Sequence, residues 1–305
     1  MGLLFNRRYK LLVGETNTLG LLITNIPETD ESDGVTQHSL HMDFTITKTD
    51  KVDEKNKAVI TVFNLSKESI AKIEKDQKVT FDAGYDGDQT RTIFLGQVED
   101  VFSEVSGETV KTRITCIDGY VPVREGYTSR TFSGKSTVET ILRTIITQDL
   151  GFANPVMKNG ILGADKGLNK VFQNGTAKVG DSAEIITSLC RDNFLTWMIR
   201  DGEVIIYPVD GSTDIELPLI SASSGMIGSP QKSQINKNKL KKSKDLKTTY
   251  KVKTLLQGSY NIGDLVQIES AFTNGTYRIT KLTHKGSYDG SAWFTNLVVA
   301  EGVAK

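Results

Sequence analysis

The chain has 305 residues, 38% hydrophobic and 24% charged, which is enough for two or three folded domains of modest core with much polar surface. Formal net charge is +0, so bulk charge argues neither for nor against a nucleic-acid partner; locally it runs from −6 over residues 1–122 to −2 over 123–229 and +8 over 230–305. Only Cys116 and Cys190 are present, both in apolar periodic stretches; this excludes a disulfide framework and predicts buried free thiols.

The first residues, MGLLFNRRYKLLVG, carry apolar runs of three broken by Arg7, Arg8 and Lys10. That pattern is neither a signal peptide nor a membrane span, and Asn6 stands where a myristoylation signal needs Ser or Thr. A cytosolic product is the expectation. Residues 8–14 and 19–25 read as short strands, and the polar stretch 27–37 as a loop. Leu40, Met42, Phe44 and Ile46 then alternate with His41, Asp43, Thr45 and Thr47, the period-two pattern of a strand with one buried face.

From Asn56 to Ile117 the sequence reads as a meander: strand, short helix, then three strands joined by tight turns, of a kind that curls into a small barrel. Ser66 is placed to cap the helix, with Ile70 and Ile73 on one face. Val79, Phe81, Ala83 and Tyr85 alternate; Phe94, Val98 and Phe102 share a parity, and Gly96 is the expected bulge. Ser106-Gly107 turns the chain into Val110, Ile114 and Cys116.

After Asp118-Gly119 the period changes. Ser136 is read as the cap of a helix reaching about Leu150, with Val138, Ile141, Leu142, Ile145 and Ile146 as its core stripe. Residues 151–179 read as a long loop with one strand near Val171. Asp181 and Glu184 open a second helix whose stripe is Ile185, Ile186, Leu189, Cys190 and Phe194. Asp201-Gly202 between 196–200 and 203–207 is a type I′ hairpin signal. Residues 212–228 read as a linker or an entering edge strand, and 231–247 as a polar stretch dominated by lysine. Strands return from Tyr250, with turns at Asn261–Asp264, Asn274-Gly275 and Asp289-Gly290. The fold class is therefore mainly β: two small tube-like β-barrels, 1–122 and 226–305, flank an α+β middle domain, 123–225, of two helices and a hairpin. The two β units suggest a structural duplication.

No catalytic, cofactor or metal set emerges. Gly134-Lys135-Ser136-Thr137 imitates the end of a P-loop, but Ser129 occupies the position of the required first glycine and no buried strand precedes it, so a helix cap is the better reading. His38, His41 and His284 lack matching Cys or carboxylate spacing and read as surface residues. The carboxylates Asp82, Asp86, Asp88, Glu99 and Asp100 read as acidic turns and strand faces. Lys237, Lys239, Lys241, Lys242, Lys244 and Lys247 have no interleaved aromatics, so they read as a solvated loop rather than a single-strand platform. The triplets at Asn64, Asn174 and Asn274 match glycosylation acceptors only formally. Trp197 and Trp293 sit in strand patterns rather than in an exposed aromatic cluster, which argues against a carbohydrate-binding module.

The run NKAVITVFNLSKESIAKIEKDQKVTFDAGYDG with TIFLGQVEDV resembles the first barrel of baseplate hub proteins from contractile-tailed bacteriophages. GKSTVETILRTII and LCRDNFLTWMIRDGEVIIYP resemble their middle domain. SGMIGSPQ, VKTLLQGSYNIGDLVQIES and GTYRITKLTHKGSYDGSAWFTNLVV resemble their last domain. The lysine-rich insert 232–247 has no counterpart in that resemblance. The resemblance implies a structural virion protein that is not an enzyme and binds no cofactor. It implies a homotrimeric ring with two barrels per copy, joining the tail tube or its initiator to a central spike among other baseplate proteins. DNA would only pass through the channel, and no membrane is involved. Assembly is expected in the host cytoplasm, with the 232–247 lysines facing away from the channel or paired with acidic groups. Alternatives within the same reading are a tail-tip protein of a non-contractile phage, a secretion-system spike hub, or a tail-borne cell-wall hydrolase.

Overall fold

The computed structural model describes residues 6–14, 20–26, 34–51, 54–86, 90–159, 166–209, 211, 218–233 and 248–301. The chain opens with β1 (Arg7–Gly14), β2 (Gly20–Thr24), β3 (Gly34–His38), β4 (Met42–Thr49) and β5 (Lys57–Phe63). A short helix α1 (Lys67–Ala71) and strands β6 (Lys78–Tyr85), β7 (Arg91–Ser106) and β8 (Thr109–Ile117) complete the first unit. These strands lie in the order β4-β5-β8-β7-β6-β1-β2-β3. The stretch expected to be a loop at 27–37 ends in β3, which pairs parallel to β2 and takes in His38; 27–33 lie outside the described residues.

Ser66 caps α1 by accepting a hydrogen bond from the Ser69 amide at 3.1 Å, and Leu65 and Ile73 on either side of the helix plug the core beneath. Gly96 is not a bulge. The register of β7 slips at Ile93 and Glu99 instead, and Gly96 is required because a Cβ there would sit 2.6 Å from the Ile117 carbonyl oxygen. The slip at Glu99 inverts the parity of the strand, which turns Phe102 out to 55% exposure although Val98 is buried.

The middle unit contains α2 (Tyr120–Glu125), β9 (Tyr127–Phe132), β10 (Ser136–Thr137), α3 (Val138–Thr144), β11 (Val156–Met157), β12 (Val171–Phe172), β13 (Thr176–Asp181), α4 (Ser182–Asp192), β14 (Leu195–Arg200) and β15 (Glu203–Pro208). Helix α3 continues as one π-helical turn, Ile145–Asp149, and its whole predicted stripe is buried. Its cap is Thr137, not Ser136: the Thr137 hydroxyl accepts from the Thr140 amide, whereas Ser136 donates to the Ser133 carbonyl. The long loop expected over 151–179 contains β13 paired with β9, a ribbon with weak apolar alternation and hence weak sequence signal. Asp181 caps α4, but Phe194 falls beyond its end at positive φ and is exposed rather than part of the stripe. In the hairpin β14–β15, Asp201 and Gly202 adopt φ +51° and +81°, as a type I′ turn demands.

The last unit comprises β16 (Leu219–Ile220), β17 (Gln231–Ser233), β18 (Thr249–Leu255), β19 (Leu265–Glu269), β20 (Asn274–Ser287) and β21 (Trp293–Glu301). Asn274-Gly275, expected to be a turn, begins β20. The neighbour order β17-β18-β21-β20-β19 repeats β4-β5-β8-β7-β6 strand for strand. Even the irregularities match: β7 slips at Glu99 against β8, and β20 slips at Thr280 against β21. The two meanders are joined because β20 pairs antiparallel with β4 from Lys281↔Thr49 to Ser287↔Asp43, giving one 14-stranded sheet.

Three apolar cores result. The first fills the N-terminal meander and includes Leu256 and Trp293 from the last unit. The hairpin β14–β15 lies between the other two: Trp197, Val204 and Ile206 pack against α3 and α4, while Met198, Ile205 and Tyr207 pack into the last unit. Alternation along a strand buried on both faces accounts for this double use.

Candidate functional site

The residues with the most unusual environments lie where the three units meet. Lys48 continues the parity of Met42, Phe44 and Ile46 and therefore points inward; its ammonium donates to both Asp201 carboxylate oxygens at 2.6 Å. Asp118, at the end of β8, accepts hydrogen bonds from the backbone amides of Asp201 at 2.7 Å and Gly202 at 3.0 Å. The tight turn of the middle hairpin is thus held by a cation and an anion from the first unit. Burial, and then the neighbouring Asp201 carboxylate, pushes the Asp118 carboxyl up to about 7; the two amides and Lys48 pull the other way.

His284 corrects the surface reading. It is buried in β20, with its Nδ1 2.8 Å from the Thr295 hydroxyl, and burial with Lys48 nearby depresses its pKa to about 3. It is buried because β20 runs past it and is paired on both sides, by β21 and β4. Further ion pairs tie the same joint: Arg200 to Asp264 at 3.1 Å, Arg278 to Asp50 at 2.9 Å and Lys281 to Glu54 at 3.2 Å. Asn56 adds a bond from its side-chain amide to the Ile199 carbonyl at 2.6 Å. The sum is a polar lock, with each charge satisfied by a neighbour across a unit boundary.

Beside the joint is a cleft of about 400 Å³, lined by Tyr120, Ala183, Arg191, Trp197 and Ile199 among others. Its Thr187 hydroxyl donates to the Ala183 carbonyl at 2.7 Å and its Ser188 hydroxyl to the Asp192 carboxylate at 3.5 Å, both within helix α4. Cys116 and Cys190 are buried, and burial pushes both thiols up to about 12, which makes them inert. Among the described residues no group of three or more His, Cys, Asp or Glu could hold a metal ion, and no helix is long and apolar enough to cross a membrane. His41 is half-exposed and reaches Asp289 at 2.8 Å and Asp43 at 3.4 Å. Lys135, of the P-loop-like stretch, sits in a turn at positive φ with its amide bonded to the Phe172 carbonyl. Asp82 and Asp86 lie on β6 and its end, Glu99 and Asp100 on β7; Asp88 lies outside the described residues. Of the lysine-rich stretch only β17 (Gln231–Ser233), with Lys232, is described; Lys237, Lys239, Lys241, Lys242, Lys244 and Lys247 lie outside the described residues.

What remains is surface and edges. Phe102 and Val105 on β7 are 55% and 76% exposed, and Phe272, in the ordered turn between β19 and β20, is 87% exposed. Among the described residues, β7 beyond Val98 pairs only with β8, and β17 only with β18, so each keeps one open edge. Sequence parity alone pointed Phe102 inward; the bulge that reverses it has no local signature.

The frame is thus a duplicated antiparallel meander, locked by ion pairs and carrying open strand edges among the described residues. Residues 26–296 match the model of the family described as baseplate hub gp41, and the chain belongs to that family. It is a structural baseplate hub protein of a bacteriophage tail. The same fold occurs in the 43 kDa tail protein of prophage MuSo2 from Shewanella oneidensis, with TM-score 0.61 and 10% identity over 97% of this chain and 98% of that one. It occurs in a tail protein from Neisseria meningitidis, with TM-score 0.61 and 8% identity over 97% of each chain. The E. coli c3393 protein, a type VI secretion component described as similar to the T4 tail proteins gp27 and gp5, shares it at TM-score 0.61 and 11% identity, over 88% of this chain and 75% of that one. No curated protein sequence matches.

Proposed function

We propose that this protein is the non-enzymatic hub ring of the baseplate, three copies joining the sixfold tail tube to a threefold central spike around the channel through which DNA passes. The observation that carries the reading is the duplication: one chain supplies two meanders of the same topology within one sheet. Three such chains present six similar units to a tube and keep threefold symmetry toward a spike. The units are 1–122, 123–225 and 226–305, with α2 straddling the first bound and β16, from the end of the middle stretch, pairing onto β19 of the last unit, and the middle unit braces the two meanders through its hairpin. No residue acts as a catalyst, metal ligand or cofactor ligand; the ion-pair lock serves rigidity. The ring assembles in the host cytoplasm, and the lysines of 232–247 face away from the channel, since a basic lining would hold DNA through its phosphates.

Solution mass tests this. The chain, of 33.6 kDa, is measured alone and mixed with the tube and spike proteins of the same phage by light scattering. A species of three copies, alone or with a partner, is expected. A chain that stays monomeric in every mixture overturns the ring.

A further inference from the structure

The duplication has a consequence for the outer edges of the sheet. Inside the chain, β20 does two things along one edge: Asn274–Arg278 pairs with β19, and Lys281–Ser287, past the slip at Thr280, pairs with β4. Its counterpart β7 does the first of these, pairing Arg91–Gln97 with β6. Past the slip at Glu99, the same edge of β7 has no strand beside it among the described residues. The counterpart of β4 is β17, whose edge away from β18 is likewise unoccupied among the described residues. The first unit is thus an acceptor missing its β17, and the last unit a donor missing its β7.

We infer that the open edge of β7 in one copy takes β17 of a second copy, as an antiparallel pair that repeats the internal β20–β4 joint. This rests on the ring proposed above and specifies how its copies meet. The register follows from the pairings. The slips superpose Asp100 on Lys281, so Ser103 corresponds to His284 and Glu104 to Lys285. The ladders to β18 and β5 superpose Lys232 on Ile46 and Gln231 on Thr45. Since His284 faces Ile46 and Lys285 faces Thr45, Ser103 faces Lys232 of the second copy and Glu104 faces its Gln231.

Charge and exposure agree. The β7 edge carries Glu99, Asp100 and Glu104, with Glu108 at the hairpin end, in the acidic part of the chain. Strand β17 carries Lys232, and Lys251 and Lys253 are exposed on the adjacent β18. In this register Lys232 meets the neutral Ser103 and Glu104 the neutral Gln231, so charge acts regionally, an acidic edge attracting a basic one, and like charges disfavour acceptor-to-acceptor pairing. Val105, 76% exposed in the single chain, comes opposite Pro230, so the joint covers an apolar side chain that otherwise faces water. Pro230, at the position of Phe44, brings no amide to this joint, so donation from this strand begins at Lys232. The contact is head-to-tail, and repetition of one such operator closes a ring when its rotation divides the circle.

Paired cysteines test the register. Glu104→Cys with Gln231→Cys, and Ser103→Cys with Lys232→Cys, place opposed Cα atoms within disulfide range in both pairs. Glu104, Gln231, Ser103 and Lys232 are all exposed in the single chain, so the substitutions spare the cores. Under mild oxidation each double variant is expected to give covalent oligomers on a non-reducing gel, and a mixture of the two single variants of a pair to give covalent dimers. The shifted pair Glu104→Cys with Lys232→Cys, whose side chains leave opposite faces, is expected to cross-link at least tenfold less. A three-copy species by mass with no cross-link at either pair, or with equal cross-linking of the shifted pair, overturns this joint and leaves the ring standing. A chain monomeric alone and with tube and spike overturns both.

Discussion

The Lys48 ammonium lies 2.6 Å from both carboxylate oxygens of Asp201, joining the innermost face of β4 to the turn of the middle hairpin. The Lys48 side chain is 3% exposed and that of Asp201 27%, so the pair is shielded from solvent on the lysine side. Removing one partner strands the other charge. Lys48→Met is expected to lower unfolding free energy by about 3 kcal/mol, near the lower end for a broken buried pair because Asp201 retains some water. Asp201→Asn added to Lys48→Met should recover most of the loss, since Asn tolerates the positive φ of the turn. Denaturant unfolding of the four proteins in the cycle measures the coupling; a double variant as unstable as Lys48→Met alone would show that packing, not charge, holds the joint.

Asp118 and His284 give the same joint opposing pH dependences. The Asp118 carboxyl is raised from 3.8 to about 7 in the folded chain, so its contribution to stability is fullest at low pH and is lost as pH rises through that range. The His284 imidazole is depressed from 6.5 to about 3, so its contribution is present above 6.5 and is lost as pH falls toward 3. Between about pH 4 and 6.5 the two slopes oppose each other. Asp118→Asn should gain on the wild type as pH rises from 4 to 7, and His284→Gln should gain on it as pH falls from 6.5 to 4. Melting temperatures across that window check the signs. Parallel profiles for wild type and both variants would rule out titration at the joint.

Gly96 makes a simpler claim. An alanine methyl there would meet the Ile117 carbonyl oxygen at 2.6 Å and the Phe94 ring at 2.8 Å. The backbone oxygen is fixed by the β5–β8–β7 ladders, so the strain cannot be relieved by a rotamer change alone. Gly96→Ala is expected to cost about 1–3 kcal/mol, with an unchanged denaturant slope. A neutral substitution would mean that β7 shifts freely past β8.

Much of this fold is legible in the sequence because its signals are local. Period two over Met42–Ile46, the helix stripe from Val138 to Ile146 and the Asp201-Gly202 turn each announce an element within a few residues. Extending the β4 parity by two positions also places Lys48 inward, a charge on an apolar face that marks the joint. His284 escapes such reading because the slip at Thr280 carries it, with Leu282, onto the buried face of Tyr277 and Ile279, and bulges depend on a partner strand. The β20–β4 pairing that joins the meanders connects positions more than two hundred residues apart and leaves no trace in either strand alone. The duplication is equally hidden, since it lies in strand order rather than in repeated residues.

Trp293 tests whether the two meanders fold as one. It belongs to β21 of the last unit, yet it is buried in the first core, in edge-to-face contact with Phe44 at 5.3 Å, and its indole donates to the Gly84 carbonyl at 3.1 Å. Gly286, opposite it on β20, allows this approach, because a Cβ there would meet the Phe44 ring and come within 2.9 Å of Trp293. Trp293→Ala should therefore empty part of a core built chiefly by residues 9–116, at a cost of about 3–5 kcal/mol. Trp293→Phe should keep most of the packing and lose the indole bond, at about 1 kcal/mol. If the meanders are coupled, calorimetry of Trp293→Ala shows the whole transition moving down. If only a minor component moves, the last unit unfolds separately and the shared sheet is not a cooperative element.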